Sequence, residues 1–157
     1  MSPAAPDAVT IALATAAETA ALGARIGAAL RGGELIALLG PLGAGKTTLT
    51  AGLARGLGVA ADEPIASPTF VLAREHAGRL RLIHVDAYRL ADADELFLIG
   101  FEELRNDQTA AIVVEWADRV AELMADADLQ VALAVNADGS RAARLRGDVR
   151  LISAATQ

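Results

Sequence analysis

The chain has 157 residues, 54% hydrophobic and 3% aromatic, long enough to bury a core of alanine, leucine, valine and isoleucine without covalent staples. It contains no cysteine, which excludes disulfides and thiolate metal sites and suits a cytoplasmic protein. Its net charge of −6 argues against nucleic-acid binding in its own right, since such binding rests on neutralising phosphates, and leaves binding through a partner open. No stretch approaches the roughly 18 uninterrupted apolar residues of a membrane span. The apolar N-terminus lacks the basic leading region of a signal peptide and carries Asp7 and Glu18. Residues 1–7 read as a flexible tail, and 1–157 as a single domain.

In chain order, Val9 to Leu13 reads as a short strand. Thr15 follows as an N-cap with Glu18 in capping-box position, opening a helix that ends near Arg31 at Gly32-Gly33. Glu34 to Leu39 is an apolar run bounded by glycines, as expected of a buried strand, and Thr47 to Leu57 has helical spacing up to Gly58. Thr69 to Glu75 and Leu80 to Val85 form a hairpin around Ala77-Gly78. Asp92, Asp94 and Glu95 open a short helix, where acids favour the first turn. Ala110 to Val114 is a second buried-type strand ending in Glu115-Trp116, followed by helical spacing from Ala117 to Met124. Two closing strands are predicted over Leu129 to Val135 and Ala142 to Ile152, around an Asp138-Gly139 turn. The mixture predicts an α/β domain of three layers, α/β/α, with a sheet partly parallel and partly antiparallel.

The most informative stretch is Gly40-Pro41-Leu42-Gly43-Ala44-Gly45-Lys46-Thr47-Thr48, which fits the G-x-x-x-x-G-K-T phosphate loop and holds the one lysine of the chain. Glycines let backbone N–H groups turn around phosphate oxygens, and the following helix aims its N-terminal amides at the same anion. A lysine reaches the outer phosphates as a flexible point charge, which a planar guanidinium does less well. The Thr47 hydroxyl has the length to bind Mg²⁺. A chance match in a glycine-rich turn is the alternative, but this loop falls between a buried-type strand and a helix.

A phosphate loop needs an acid at the end of a neighbouring strand to hold Mg²⁺. Asp86, ending LIHVD, and Glu115, ending AAIVVE, both qualify, and spacing does not rank them. The single tyrosine, Tyr88, and the single tryptophan, Trp116, stand beside these acids. Ser67-Pro68-Thr69-Phe70 is loop-like, and its hydroxyls can approach a terminal phosphate as a switch segment does. His84 shares a strand face with Asp86; a lone histidine there is more often structural than catalytic. His76 reads as a surface turn residue. Asp92, Asp94, Glu95, Glu102 and Glu103 read as a solvated face that can also dock a basic partner.

GPLGAGKTT, SPTF, HVDAYRL, ELFLIGFEE and VVEW, in this order and spacing, resemble the TsaE family from about Thr15 to Arg141. These are small bacterial ATPases required for threonylcarbamoyladenosine, a tRNA modification next to the anticodon. The resemblance implies a P-loop NTPase domain with antiparallel strands mixed into its sheet, binding ATP or ADP with Mg²⁺. It implies nucleotide contacts from Gly40, Leu42, Gly43, Ala44, Gly45, Lys46, Thr47 and Thr48, with Lys46 also catalytic. Glu115 and Thr47 then hold Mg²⁺, Asp86 is needed for activity, and Ser67 and Thr69 form the switch-like loop. Trp116 joins the nucleotide site. The adenine site uses the N-terminal region beginning at Thr15 and an arginine of a late Gly-Arg pair. That pair reads Gly139-Ser140-Arg141 here, so Arg141 is the match across one inserted serine. The implied partner is a TsaB–TsaD type threonylcarbamoyl-transferase complex that ATP hydrolysis drives or resets, with tRNA reached only through it and no membrane.

Two other readings compete. A small-molecule kinase would carry lid arginines; Arg79, Arg81 and Arg89 imitate them without the long insertion of a lid. A GTPase-like switch needs N-K-x-D, for which no second lysine exists.

Overall fold

The computed structural model describes residues 8–68 and 72–157. Seven strands form one sheet: β1 Val9–Leu13, β2 Leu35–Leu39, β3 Ala73–His76, β4 Arg81–Asp86, β5 Ala110–Glu115, β6 Leu129–Val135 and β7 Arg141–Gly147. Their order is β1-β7-β6-β2-β5-β4-β3. The central strands β6, β2, β5 and β4 are parallel; β7 pairs antiparallel with β6 and β1 antiparallel with β7 on one side, and β3 pairs antiparallel with β4 on the other. The mixed sheet expected from the sequence is therefore present.

Period-two alternation divides the core into two layers. Along β5, Ala111 and Val113 face one apolar cluster, while Ala110, Ile112 and Val114 face the other. The first is covered by helices α1 Ala16–Ala29, α2 Lys46–Gly56 and α5 Val149–Ala155, through Leu22, Ile26, Leu49, Leu53 and Leu151. The second lies under a 3-10 segment Ala93–Ile99 and helices α3 Phe101–Asn106 and α4 Ala121–Asp126, through Leu96, Phe101, Leu104 and Leu123. Among the described residues no helix is long and apolar enough to cross a membrane.

Helix α1 starts where the sequence says it should. Thr15 Oγ1 accepts from Glu18 N–H at 3.2 Å, and Glu18 Oε2 accepts at 2.6 Å from the amide of Ala14, one residue earlier than in the standard box. Its packing on α2 depends on a feature the periodicity does not announce. Gly23 and Gly27 on α1 face Gly52 and Gly56 on α2, and the backbones meet directly. A Cβ added at Gly23 would lie 2.2 Å from the Leu49 carbonyl oxygen, and one at Gly52 would lie 2.0 Å from that of Ala20.

Three expectations are corrected. The closing strand expected over Ala142 to Ile152 is not one strand: β7 stops at Gly147, whose φ of +128 only glycine adopts freely. Asp148 then caps α5, its Oδ1 accepting from Arg150 N–H at 2.8 Å and from Leu151 N–H at 3.3 Å. The Gly-Asp pair acts as a helix start signal and ends the strand there. The helix over Ala117 to Met124 divides into a 3-10 turn Ala117–Arg119 and α4, because Val120 sits extended and buried between them. His76 is not at the surface; it ends β3 in a buried position, with Nδ1 3.4 Å from Glu63 Oε1. The hairpin is as expected in its turn, but Leu72 lies outside β3, and Thr69 to Val71 lie outside the described residues.

Gly23→Ala should destabilise the protein by about 1–3 kcal/mol despite alanine's better helix propensity, because overpacking against backbone exceeds a gain of about 1 kcal/mol. Urea unfolding followed by far-UV circular dichroism checks this; equal or greater stability would show that the two helices separate at little cost.

Candidate nucleotide site

The parallel strands β2, β4 and β5 deliver their C-terminal ends to one edge, where open α/β sheets bind ligands. β2 feeds the glycine loop, β4 ends at Asp86 and β5 at Glu115, with Leu38 opposite Glu115 and Asp86 opposite Glu115 in register. The loop turns through positive φ at Gly40, Gly43 and Gly45 before entering α2, whose first-turn amides have no helical acceptor. Within it, the Ala44 amide donates to the Pro41 carbonyl at 3.1 Å, and Leu42 is exposed.

Lys46 is 5% exposed. Its Nζ donates to the carbonyls of Gly40 at 2.5 Å and Pro41 at 2.9 Å, and stands 3.8 Å from the Trp116 ring centre. Burial holds its pKa below the usual lysine value, against the opposing fields of Glu115, Asp118 and Asp86. Asp118 in this field is not legible from spacing, since it follows the strand end by a 3-10 turn.

Glu115 is 2% exposed and is the acid in contact with the loop threonine. Thr47 Oγ1 donates to it, at 3.1 Å from Oε1 and 3.4 Å from Oε2. Fully buried His84 donates its Nε2 proton to Glu115 Oε2. Asp86 is engaged elsewhere: its Oδ2 accepts from Ser67 Oγ at 2.9 Å and its Oδ1 from the Tyr88 amide at 2.9 Å. Thr69, the other hydroxyl of the switch-like loop, lies outside the described residues. The two strand-end acids thus have different partners, a distinction sequence spacing does not make.

Trp116, directly after Glu115, takes φ +59, the left-handed region that non-glycine residues rarely enter. That turn brings the indole over Lys46 and within 5.1 Å of the Tyr88 ring, and Arg119 stacks on the other aromatic at 4.8 Å. The gathering of rare aromatics beside the two acids is therefore a real cluster.

Two cavities join along the glycine loop. One, of about 260 Å³, is lined by Leu42, Lys46, Thr47, Ser67, Glu115 and Trp116. The other, of about 160 Å³, is lined by Thr15, Thr19, Arg141 and Ala14, and both share Gly43, Gly45 and Thr48. Arg141 reaches the loop itself, its Nη2 donating to the Gly43 carbonyl at 2.9 Å, and its Nη1 to that of Gly139 at 2.5 Å. Sequence-predicted residues from the N-terminal cap, the loop, the end of β5 and the late arginine therefore line two cavities that meet at Gly43, Gly45 and Thr48, while Asp86 lines neither.

The donor set suits a Mg²⁺-bound triphosphate. Among the described residues no three His, Asp or Glu side chains form a cage sufficient for a metal on their own. Mg²⁺ needs only one or two protein oxygens when phosphates supply others, and the Thr47–Glu115 pair offers them.

A profile for threonylcarbamoyl adenosine biosynthesis protein TsaE matches residues 13–143, a span containing every groove residue named above. The chain is 42% identical over 127 residues to a tRNA threonylcarbamoyladenosine biosynthesis protein TsaE of Treponema pallidum, covering 81% of this chain and 92% of that one. A Mycobacterium leprae protein of the same name is 44% identical over 124 residues, covering 74% of this chain and 76% of its own. The crystal structure of Bacillus subtilis YdiB superposes with a TM-score of 0.73 at 27% identity, over 95% of this chain and 94% of that one. With the glycine loop, both strand-end acids and the late arginine inside the matched span, the chain belongs to the TsaE family of threonylcarbamoyl adenosine biosynthesis proteins.

Proposed function

We propose that this protein is a Mg²⁺-dependent ATPase serving threonylcarbamoyladenosine formation on tRNA, driving or resetting a TsaB–TsaD type transferase complex. The convergence of Lys46, Thr47 and Glu115 on the floor of one groove carries this reading. Lys46 rests on loop carbonyls, which are weak partners for a buried cation, so a phosphate oxygen is the stronger acceptor and the side chain exchanges to it. The amides at the start of α2 take the remaining phosphate charge. Thr47 and Glu115 would hold Mg²⁺, which when bound supplies charge neutralisation across the outer phosphates. Asp86, fixed by Ser67 and the Tyr88 amide, is the carboxylate left to orient the attacking water. Arg141, Thr15 and Thr19 line the far end of the groove, where the base sits. The −6 charge agrees with tRNA being reached through the partner complex.

Lys46→Ala should weaken fluorescent ATP binding about 10- to 100-fold, the loss of one charge-assisted contact. Glu115→Gln should keep binding measured in EDTA and lose most Mg²⁺-dependent phosphate release. Should Glu115→Gln instead leave Mg²⁺-dependent phosphate release intact while Asp86→Asn abolishes it, the two acids exchange roles. Phosphate release from Mg-ATP should be slow for the protein alone and rise with the TsaB–TsaD complex; fast release indifferent to that complex would refute the assigned purpose.

A further inference from the structure

A further cavity lies outside the nucleotide groove. About 270 Å³ in volume, it opens on the opposite layer between the 3-10/α3 segment and α4, lined by Ala93, Leu96, Phe97, Phe101 and Leu123 with Glu102, Glu122 and Asp126 at its rim. Phe97 is 70% exposed and Leu98 79%; among the described large hydrophobic residues only Leu42 of the glycine loop is more exposed. In a chain that is 3% aromatic, two of its three phenylalanines stand at this one groove. An apolar patch with a polar rim on a small protein marks a binding surface.

The charge around it has one sign. From Asp92 to Glu103 the chain reads DADELFLIGFEE, and α4 reads AELMAD; neither contains a base. Arg105, the nearest base on α3, is committed to the Gly33 carbonyl, Asp126 and Asp128, so it neutralises part of one edge and leaves Glu102 and Glu122 to set the rim.

The groove's walls are the chain segments that follow the two acid-bearing strands. The wall of Phe97 and Phe101 continues β4 beyond Asp86, and the wall of Leu123 continues β5 beyond Glu115. Leu90, Leu96, Ala117, Val120 and Leu123 pack in one cluster, and the Tyr88 carbonyl accepts from Arg119 Nη2 at 2.8 Å, tying the walls together next to the nucleotide groove. We infer that the apolar groove between the 3-10/α3 segment and α4 receives a basic, amphipathic helical segment of a partner protein. Leucine-sized side chains would fill the cavity while Lys or Arg meets Glu102 and Glu122, the helix-in-groove mode of recognition. The inference names a docking surface for the partner that the proposed function requires and so rests on that reading.

The test uses a labelled helical peptide of about four turns built from leucine and lysine, and its leucine–glutamate counterpart, titrated into the full chain by fluorescence anisotropy. The leucine–lysine peptide should bind one-to-one and more weakly as salt rises, and the glutamate peptide should not bind. Phe97→Ser with Leu98→Ser should weaken the complex at least about 10-fold, as expected of buried anchors. Those side chains are exposed, so melting temperature and fluorescent ADP affinity should stay unchanged. Glu102→Lys with Glu122→Lys should reverse the peptide preference. Unchanged affinity in the serine variant, equal binding of both peptides, or no binding overturns the inference. So does a wild-type dimer that the serine variant dissolves in sedimentation, since the occupant is then a second copy. Loss of nucleotide binding with peptide binding intact would instead defeat the ATPase reading alone.

Discussion

The close approach of α1 to α2 is the constraint on which the site's shape depends. α2 carries Lys46, Thr47 and Thr48 in its first turn, and the start of α1 carries Thr15 and Thr19. Four glycines, Gly23, Gly27, Gly52 and Gly56, let the two backbones touch, so the N-terminal cap stands at the glycine loop and closes one end of the groove. Side chains at that seam would push the helices apart and open the groove where the base would sit. The seam adds no group to the chemistry; it sets the distance at which the chemistry is assembled.

Glu115 is the second point of convergence. A carboxylate this buried is costly unless it is hydrogen-bonded, and here Thr47 and His84 donate to it while Lys46 supplies a nearby positive field. His84 thus has a definite partner, on the neighbouring strand, that reading along its own strand does not reveal. Its other ring nitrogen, Nδ1, is buried without a hydrogen-bond partner among the described residues. Trp116 then reverses the chain in the left-handed conformation and closes over Lys46. The sequence neighbours Glu115 and Trp116 both act on the same lysine.

Local signals carried most of the elements. The capping pair Thr15 and Glu18, the glycine-bounded run before the loop, the Asp92 cap and the Asp138-Gly139 turn each lie where their chemistry predicts. The failures had local causes as well. The strand expected over Ala142 to Ile152 runs across Gly147-Asp148, a pair that starts a helix, and His76, expected in a turn, closes a strand over Glu63. The glycines inside α1 and α2 have no local signature, because a helix tolerates them in isolation and only a second helix gives them a purpose.

The sequence by itself determined the glycine loop with its single lysine, the two acids at strand ends and the family, because each rests on residue identity at fixed spacing. Only the tertiary structure separated the acids, giving Thr47 and His84 to Glu115 and Ser67 to Asp86. It alone brought Arg141 to Gly43 across the sheet and made a groove of two segments that leave different strands. The reason is physical: spacing along a chain fixes which groups a segment carries and which face they take. Hydrogen-bond partners are chosen across strands and helices, where distance in sequence has no bearing.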